Sequence, residues 1–306
     1  MSIRVRFWGV RGSIPCPGSN TVKYGGNTAC IEVRFPELDD RLIIIDAGSG
    51  IRELGNFMMA HDFKKGPINS RIFLTHTHWD HIMGFPFFTP IYVPGNRLTV
   101  YGPVTYEKDT LETIVGGQMT YRYFPVREAE LAATVDYVEL KEGRLDLGDG
   151  ITLTTKYLNH PILCLGYRLE FQGKVFCTAY DTEPYRNLFC TDPADPAYDE
   201  MMAQEGEAVA AEQNALLEEF FSGADLLVHD SQYSEAELVP GKLGWGHSSY
   251  EGAIAAACHR QVKRLALFHH DPMRTDDQLD AMSATYEGRR GDTEVFFARE
   301  GVEIVI

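Results

Sequence analysis

The segment Thr75-His76-Thr77-His78-Trp79-Asp80-His81 places four potential metal ligands within six positions, directly after the apolar run Arg71-Ile72-Phe73-Leu74-Thr75. A short apolar run of this kind predicts a buried strand, so the ligands fall where the strand ends. Side chains of an extended chain alternate with a period of two. That places His76, His78 and Asp80 on one side, while a turn at Asp80-His81 aims His81 across the first group. With only 10 histidines in 306 residues, a polar turn that happens to hold three of them is the weaker reading. One segment can then serve two adjacent ions, but each ion needs about three protein ligands and an open position. The rest of the chain must supply more. Polar residues that end other apolar runs are the candidates: His160 after Leu158-Asn159, Asp181 after Thr178-Ala179-Tyr180, and His269 or His270 after Leu265-Ala266-Leu267-Phe268. His269 is favoured because it ends its strand. Layered α/β proteins gather strand ends at one edge, where ligand sites form.

Composition narrows the partners. The chain is 44% apolar and 24% charged, which suits a packed core, and its length allows one large layered domain or two ordinary ones. Lys and Arg number 28 against 44 Asp and Glu, a formal charge of −16 that disfavours long nucleic acid. No apolar run approaches the ~18 residues of a membrane span, and Met1-Ser2-Ile3-Arg4-Val5-Arg6 lacks the apolar centre of a secretory signal. The expectation is a soluble, cytoplasmic protein without a membrane partner. Six cysteines lie scattered without a C-x-x-C pair, which suits free thiols in a reducing compartment and argues against a thiolate zinc site.

Strands are predicted at Ile3 to Trp8, Ala29 to Phe35, Arg41 to Asp46, Ile72 to Thr75 and Arg97 to Tyr101, with helices at Ile51 to His61 and Thr105 to Gly116. The pattern restarts with strands at Asp136 to Leu140, Ile151 to Tyr157, Leu165 to Phe171 and Lys174 to Thr178. Ala197 to Phe221 is rich in Ala, Glu, Gln, Met and Leu and predicts a helical insertion. A strand at Asp225 to His229, a helix at Tyr250 to Arg260 and a strand at Arg264 to His269 follow. Two blocks of strands with helices predict a two-sheet sandwich flanked by helices, counted as one domain over 1–306, with the insertion near 197–221 and the halves meeting near residue 140.

The order His-x-His-x-Asp-His, a distant His, a distant Asp and a late His resembles the ligand order of the metallo-β-lactamase superfamily. Asp46-Ala47-Gly48 also looks like that superfamily's early Asp-containing turn. The resemblance implies an α/β fold, a four-layer αββα sandwich, and a dinuclear site. It assigns His76, His78 and His160 to one ion and Asp80, His81 and His269 to the other, with Asp181 bridging. Imidazole and carboxylate ligands suit Zn, Mn or Fe as the two divalent ions. Two such ions share a hydroxide and stabilise charge on a phosphoryl or carbonyl oxygen, so hydrolysis is the expected reaction.

Gly244-Trp245-Gly246-His247-Ser248-Ser249-Tyr250 lies with its His 22 residues before His269. It is similar to a segment of the ribonuclease Z and cyclic-phosphodiesterase branch, where such a His contacts the scissile phosphate and assists the leaving group. His247 and Asp80 are therefore the catalytic candidates. The glycine-rich turns Phe7 to Pro15 and Gly25 to Thr28 offer Arg11, Ser13 and Asn27 as substrate-binding candidates, although a tight strand connection explains them equally well. Trp79, Asp46 and Asp230 are read as support around the site. No Gly- and Lys/Arg-rich insertion of the kind that clamps tRNA is present. The expectation is thus a phosphodiesterase acting on a small or cyclic, nucleotide-like phosphodiester through a metal-bridging hydroxide. The alternatives are a lactonase or thioesterase-like hydrolase, and a non-catalytic metal-containing module that binds phosphodiesters. The helical insertion at Ala197 to Phe221 and the segment Gly116 to Pro125 are candidate covers that restrict substrate size; Tyr121, Tyr123 and Phe124 are candidates to stack on a base, with packing the commoner role for such residues, and a homodimer is compatible with the sequence.

Overall fold

The computed structural model describes residues 2–105 and 108–306. The chain opens with β1 (Arg4–Gly9), β2 (Cys30–Phe35) and β3 (Arg41–Ile45), then α1 (Ile51–His61), β4 (Asn69–Phe73), the one-turn helix α2 (Trp79–Ile82), β5 (Arg97–Pro103), α3 (Leu111–Gly117) and β6 (Thr134–Leu140). A second series follows: β7 (Gly143–Gly148), β8 (Ile151–Leu158), β9 (Cys164–Phe171), β10 (Lys174–Ala179), α4 (Glu200–Phe220), β11 (Leu226–Asp230), α5 (Glu235–Leu238), α6 (Tyr250–His259), β12 (Arg264–Phe268), α7 (Asp276–Tyr286), β13 (Gly288–Arg290), β14 (Thr293–Phe297) and β15 (Glu303–Val305).

Seven strands form one sheet in the order β15-β1-β2-β3-β4-β5-β6, and eight form the other in the order β13-β14-β12-β11-β10-β9-β8-β7. The inner faces meet in a core that includes Val5, Phe7, Val33, Phe73, Tyr167, Phe176, Val228 and Phe268. The outer face of the first sheet buries Ile44, Ile72 and Val100 against Leu54 and Met58 of α1 and Val115 of α3. The outer face of the second packs Leu227, Leu265 and Val295 against Leu217 of α4, Ala253 of α6 and Leu279 of α7. The architecture is the expected αββα sandwich. Among the described residues, no helix is long and apolar enough to cross a membrane.

Three features depart from expectation. Asp136 to Leu140 does not start the second sheet. As β6 it pairs in parallel with β5 at the edge of the first sheet, with Leu98 opposite Val135. A helix between two strands favours such a parallel return to the same sheet. The helix expected from Thr105 begins only at Leu111, capped by the Thr110 side chain, which accepts from the Thr113 amide; Tyr106 and Glu107 lie outside the described residues. Beyond His269 the structure adds α7, β13, β14 and β15, and β15 returns to pair with β1 of the first sheet.

Parallel register positions the site. In the second sheet Ala179 of β10 lies opposite His229 of β11, which lies opposite Leu267 of β12. The residues that follow these three strands therefore emerge together, Asp181 and His269 among them. In the first sheet Ile45 of β3 is level with Phe73 of β4, so Asp46 and Thr75 emerge side by side.

Candidate metal centre

The strand β4 stops at Phe73, and the chain turns into α2 at Trp79 with His78 as its N-cap. This overturns the single extended face expected for His76, His78 and Asp80. The helical turn swings Asp80 and His81 away from His76 and His78. The result is two groups of ligand atoms: His76, His78, His160 and Asp181 in one, and Asp80, His81, Asp181 and His269 in the other.

Asp181 stands between them. Its Oδ2 lies 3.6 Å from His76 Nε2 and 3.9 Å from His160 Nε2, and its Oδ1 lies 3.4 Å from His81 Nε2 and 3.2 Å from His269 Nε2. His160 Nε2 is 3.1 Å from His78 Nδ1, and His269 Nε2 is 3.2 Å from Asp80 Oδ2. His76 Nε2, His81 Nε2 and Asp181 Oδ1 are buried without a hydrogen-bond partner. Buried polar atoms left unpaired cost about 1–3 kcal/mol each, so three of them converging on one region fit a cation better than an apo network.

The electrostatics agree. Burial holds His76 well below its ordinary pKa and His160 down to about 4, so both present neutral lone pairs. Burial also opposes charge on His81, but Asp80, Asp181 and Asp46 outweigh it and push its pKa well up. Burial would raise Asp181, yet His269, His81 and His76 hold it well below the usual carboxylate range. A concentration of carboxylates that draws a proton onto a buried imidazole is one that also attracts a divalent cation.

The flanking groups orient the rings. His81 Nδ1 donates to Asp46 Oδ2 at 2.7 Å, which leaves Nε2 facing the cluster. Asp46 is fully buried with a φ of 62°, and its carboxylate also accepts from the Thr75 amide (2.7 Å) and hydroxyl (2.9 Å). His160 Nδ1 donates to the Gly246 carbonyl at 3.0 Å. Glu183, which the sequence did not single out, accepts from the Gly244 and Gly246 amides and so anchors the loop that carries His247. His247 Nδ1 lies 2.9 Å from Asp230 Oδ2, its ring is stacked on His269 with centroids 5.0 Å apart, and its pKa is pushed up to about 9 because Asp230 overcomes the opposing burial. Asp230 also joins His247 and His269 in a third, smaller group of ligand atoms.

The glycine-rich turns serve a different purpose from the one expected. Arg11 is fully buried, and its guanidinium donates to the carbonyls of Gly25, Asp271 and Arg274, so it fastens the Gly25 turn and the 271–274 turn instead of facing an anion. Asn27 is likewise committed: its side-chain amide donates to Glu300 at 3.1 Å and accepts from the Ser49 hydroxyl at 3.0 Å. Ser13 does reach the cluster, but through its backbone amide, which donates to Asp80 Oδ2 at 2.7 Å. The neighbouring Gly12 explains the glycine, since a Cβ there would lie 2.3 Å from the His269 ring. His270 points away from the cluster and lies 2.9 Å from the Ala298 carbonyl through Nε2. Asp46 and Asp230 hydrogen-bond to His81 and His247, whereas the Trp79 side chain is 76% exposed.

A two-sheet sandwich that gathers His and Asp side chains at its strand ends defines a class of scaffold suited to holding metal ions. Residues 41–192 match the family described as a beta-lactamase superfamily domain. Ribonuclease Z of Shouchella clausii (strain KSM-K16) is 25% identical over 280 residues, covering 79% of this chain and 81% of its own. Among solved structures, the metallo-β-lactamase fold protein YhfI from Bacillus subtilis superimposes with a TM-score of 0.62 at 18% identity, covering 99% of each chain. The short form of human tRNase Z does so with a TM-score of 0.60 at 19% identity, covering 98% of each. Residues 41–192 thus carry a beta-lactamase superfamily domain, on a sandwich fold shared with metallo-β-lactamase structures, and the chain as a whole is similar to ribonuclease Z.

Proposed function

We propose that the protein is a dinuclear phosphodiesterase that hydrolyses a small or cyclic, nucleotide-like phosphodiester. The observation that carries this reading is Asp181 extending one carboxylate oxygen to each of two ligand groups, with His247 held beside them by Asp230. His76, His78 and His160 would hold one ion, Asp80, His81 and His269 the other, and Asp181 both. Imidazole and carboxylate ligands suit Zn, Mn or Fe. Two such cations supply a nucleophilic water at neutral pH and neutralise charge on the phosphoryl oxygens.

The protein's own groups do the rest. Asp46 and the Gly246 carbonyl fix the tautomers of His81 and His160. Asp80 is held in place by the Ser13 amide. His247, kept protonated by Asp230, delivers a proton to the departing alkoxide. Ribonuclease Z among the relatives supports phosphodiester chemistry. The human neighbour is a tRNase, but the formal charge of −16 supports a substrate smaller than tRNA here. Six free cysteines support a reducing, cytoplasmic setting.

The test is a substrate panel for protein reconstituted with Zn or Mn: bis-p-nitrophenyl phosphate, 2′,3′- and 3′,5′-cyclic nucleotides, a tRNA precursor, a lactone and a thioester. Turnover of the small phosphodiesters above the other substrates is expected. Rapid lactone or thioester cleavage without phosphodiester turnover overturns the proposal, and so does turnover confined to the tRNA precursor.

A further inference from the structure

The site leaves unused an apolar surface at its border. Trp79 lies between His78 and Asp80 on α2, with most of its ring exposed. It forms a wall of a groove of about 610 Å³ whose other walls include Met83, Phe87, Ile114, Tyr123 and Phe124. Phe87 and Phe124 meet edge to face, with centroids 5.3 Å apart and planes at 89°, and Phe87 and Tyr123 are themselves exposed. Contiguous exposed aromatic surface marks a binding site, and this volume lies within the range of about 300–1,000 Å³ of small-molecule sites. The Gln118 amide, also in the groove, donates to the carbonyls of Ile82 (3.3 Å) and Val115 (3.1 Å). It thereby ties the α3 wall to α2 and its ligands.

We propose that this groove is the subsite for the nucleobase of the substrate, with Trp79 as its stacking platform and main specificity-determining residue. The inference rests on the phosphodiesterase reading above. Position favours this occupant: Trp79 is adjacent in the chain to the candidate ligands His78 and Asp80, so the groove it walls borders the cluster that would hold the phosphodiester. Chemistry selects it too. The described residues lining the groove are uncharged, which suits a neutral planar group, and Thr113 and Gln118 offer polar contacts to its edge. Base-on-aromatic stacking tolerates any base, because every base has a π-face. Tyr121, by contrast, is turned to Glu130 and Arg127 and takes no part.

Two measurements test this. The first compares 2′,3′-cyclic AMP with methyl ribofuranoside 2,3-cyclic phosphate, which has the same cyclic phosphate and no base. The wild-type protein should favour the nucleotide in kcat/KM by at least about tenfold, mostly through KM. Trp79→Ala should reduce that ratio about tenfold, and Trp79→Phe should restore most of it. Bound metal is measured in each variant. The second needs no turnover: AMP should quench tryptophan emission saturably, ribose 5-phosphate should not, and the quench should vanish in Trp79→Phe. If no phosphodiester is turned over, the functional reading fails while the quench still reports on the groove. Equal kcat/KM for the two substrates, or a quench that survives in Trp79→Phe, overturns the subsite. A dimer that dissociates in Trp79→Ala without any change in the substrate ratio overturns it in favour of a second copy of the chain on this face.

Discussion

The two sheets contribute to the cluster in opposite ways. The first delivers His76, His78, Asp80 and His81 from one short segment after β4, oriented by neighbours such as Thr75 and Asp46. The second delivers His160, Asp181 and His269 from the ends of β8, β10 and β12, and only strand register brings them level. The contiguous set is assembled by a helical turn. The dispersed set relies on backbone held at positive φ, with Asp181 at 33° and His269 at 65°, conformations that cost about 1–3 kcal/mol each and persist only where surrounding structure enforces them. Local ligands are therefore cheap to place, and distant ones depend on the whole sandwich.

The largest expected effect is at the residue that joins the two sets. Asp181→Ala should lower bound metal in both groups and take turnover to the limit of detection, measured by metal analysis alongside bis-p-nitrophenyl phosphate hydrolysis. Metal loss from one group alone would break the symmetry drawn between them. His247→Ala should reduce kcat by about 10²–10⁴-fold with metal content nearly intact. Parallel loss of metal would place His247 with Asp230 and His269 as a ligand. Asp46→Ala acts on the contiguous set through His81 and should weaken metal affinity by about 10–100-fold in a chelator titration.

Arg11→Met separates scaffold from substrate contact. Losing the guanidinium that serves the Gly25, Asp271 and Arg274 carbonyls should cost about 1–3 kcal/mol in urea unfolding, with KM unchanged. A raised KM at unchanged stability would return Arg11 to the site. The smallest effect concerns His229 of β11, between the strands that carry Asp181 and His269. Burial holds its pKa below the ordinary value of 6.5, so the unfolded chain takes up a proton before the folded one does. Stability should fall as the pH drops below about 6.5, by at most about 1.4 kcal/mol per pH unit from this group, and His229→Gln should remove that part of the slope.

Much of the sandwich was legible in the sequence, because long strands and helices carry periodic apolar patterns. Ile51 to His61 and Ile151 to Tyr157 are examples, and both stand within a residue of α1 and β8. Short elements were not legible. Gly288–Arg290 and Glu303–Val305 are three residues each, too few to show a period, and they exist because β14 and β1 offer them open edges. The sheet to which Asp136 to Leu140 belongs was decided by pairing with β5, a contact that no local pattern encodes.

What the sequence determined by itself was the donor chemistry: which residues end apolar strands, in what order, and without thiolates among them. Tertiary structure physically sets how those donors divide, a division that the sequence carried only through its family resemblance. It sent Asp80 to the second group through the turn of α2, gave the place beside Asp80 to His269 and not His270, and turned Arg11 and Asn27 inward to hold the scaffold. The reason is physical. A residue's capacity to bind a metal or an anion belongs to its side chain, but the direction in which it faces is set by backbone turns and by neighbours far away in the chain.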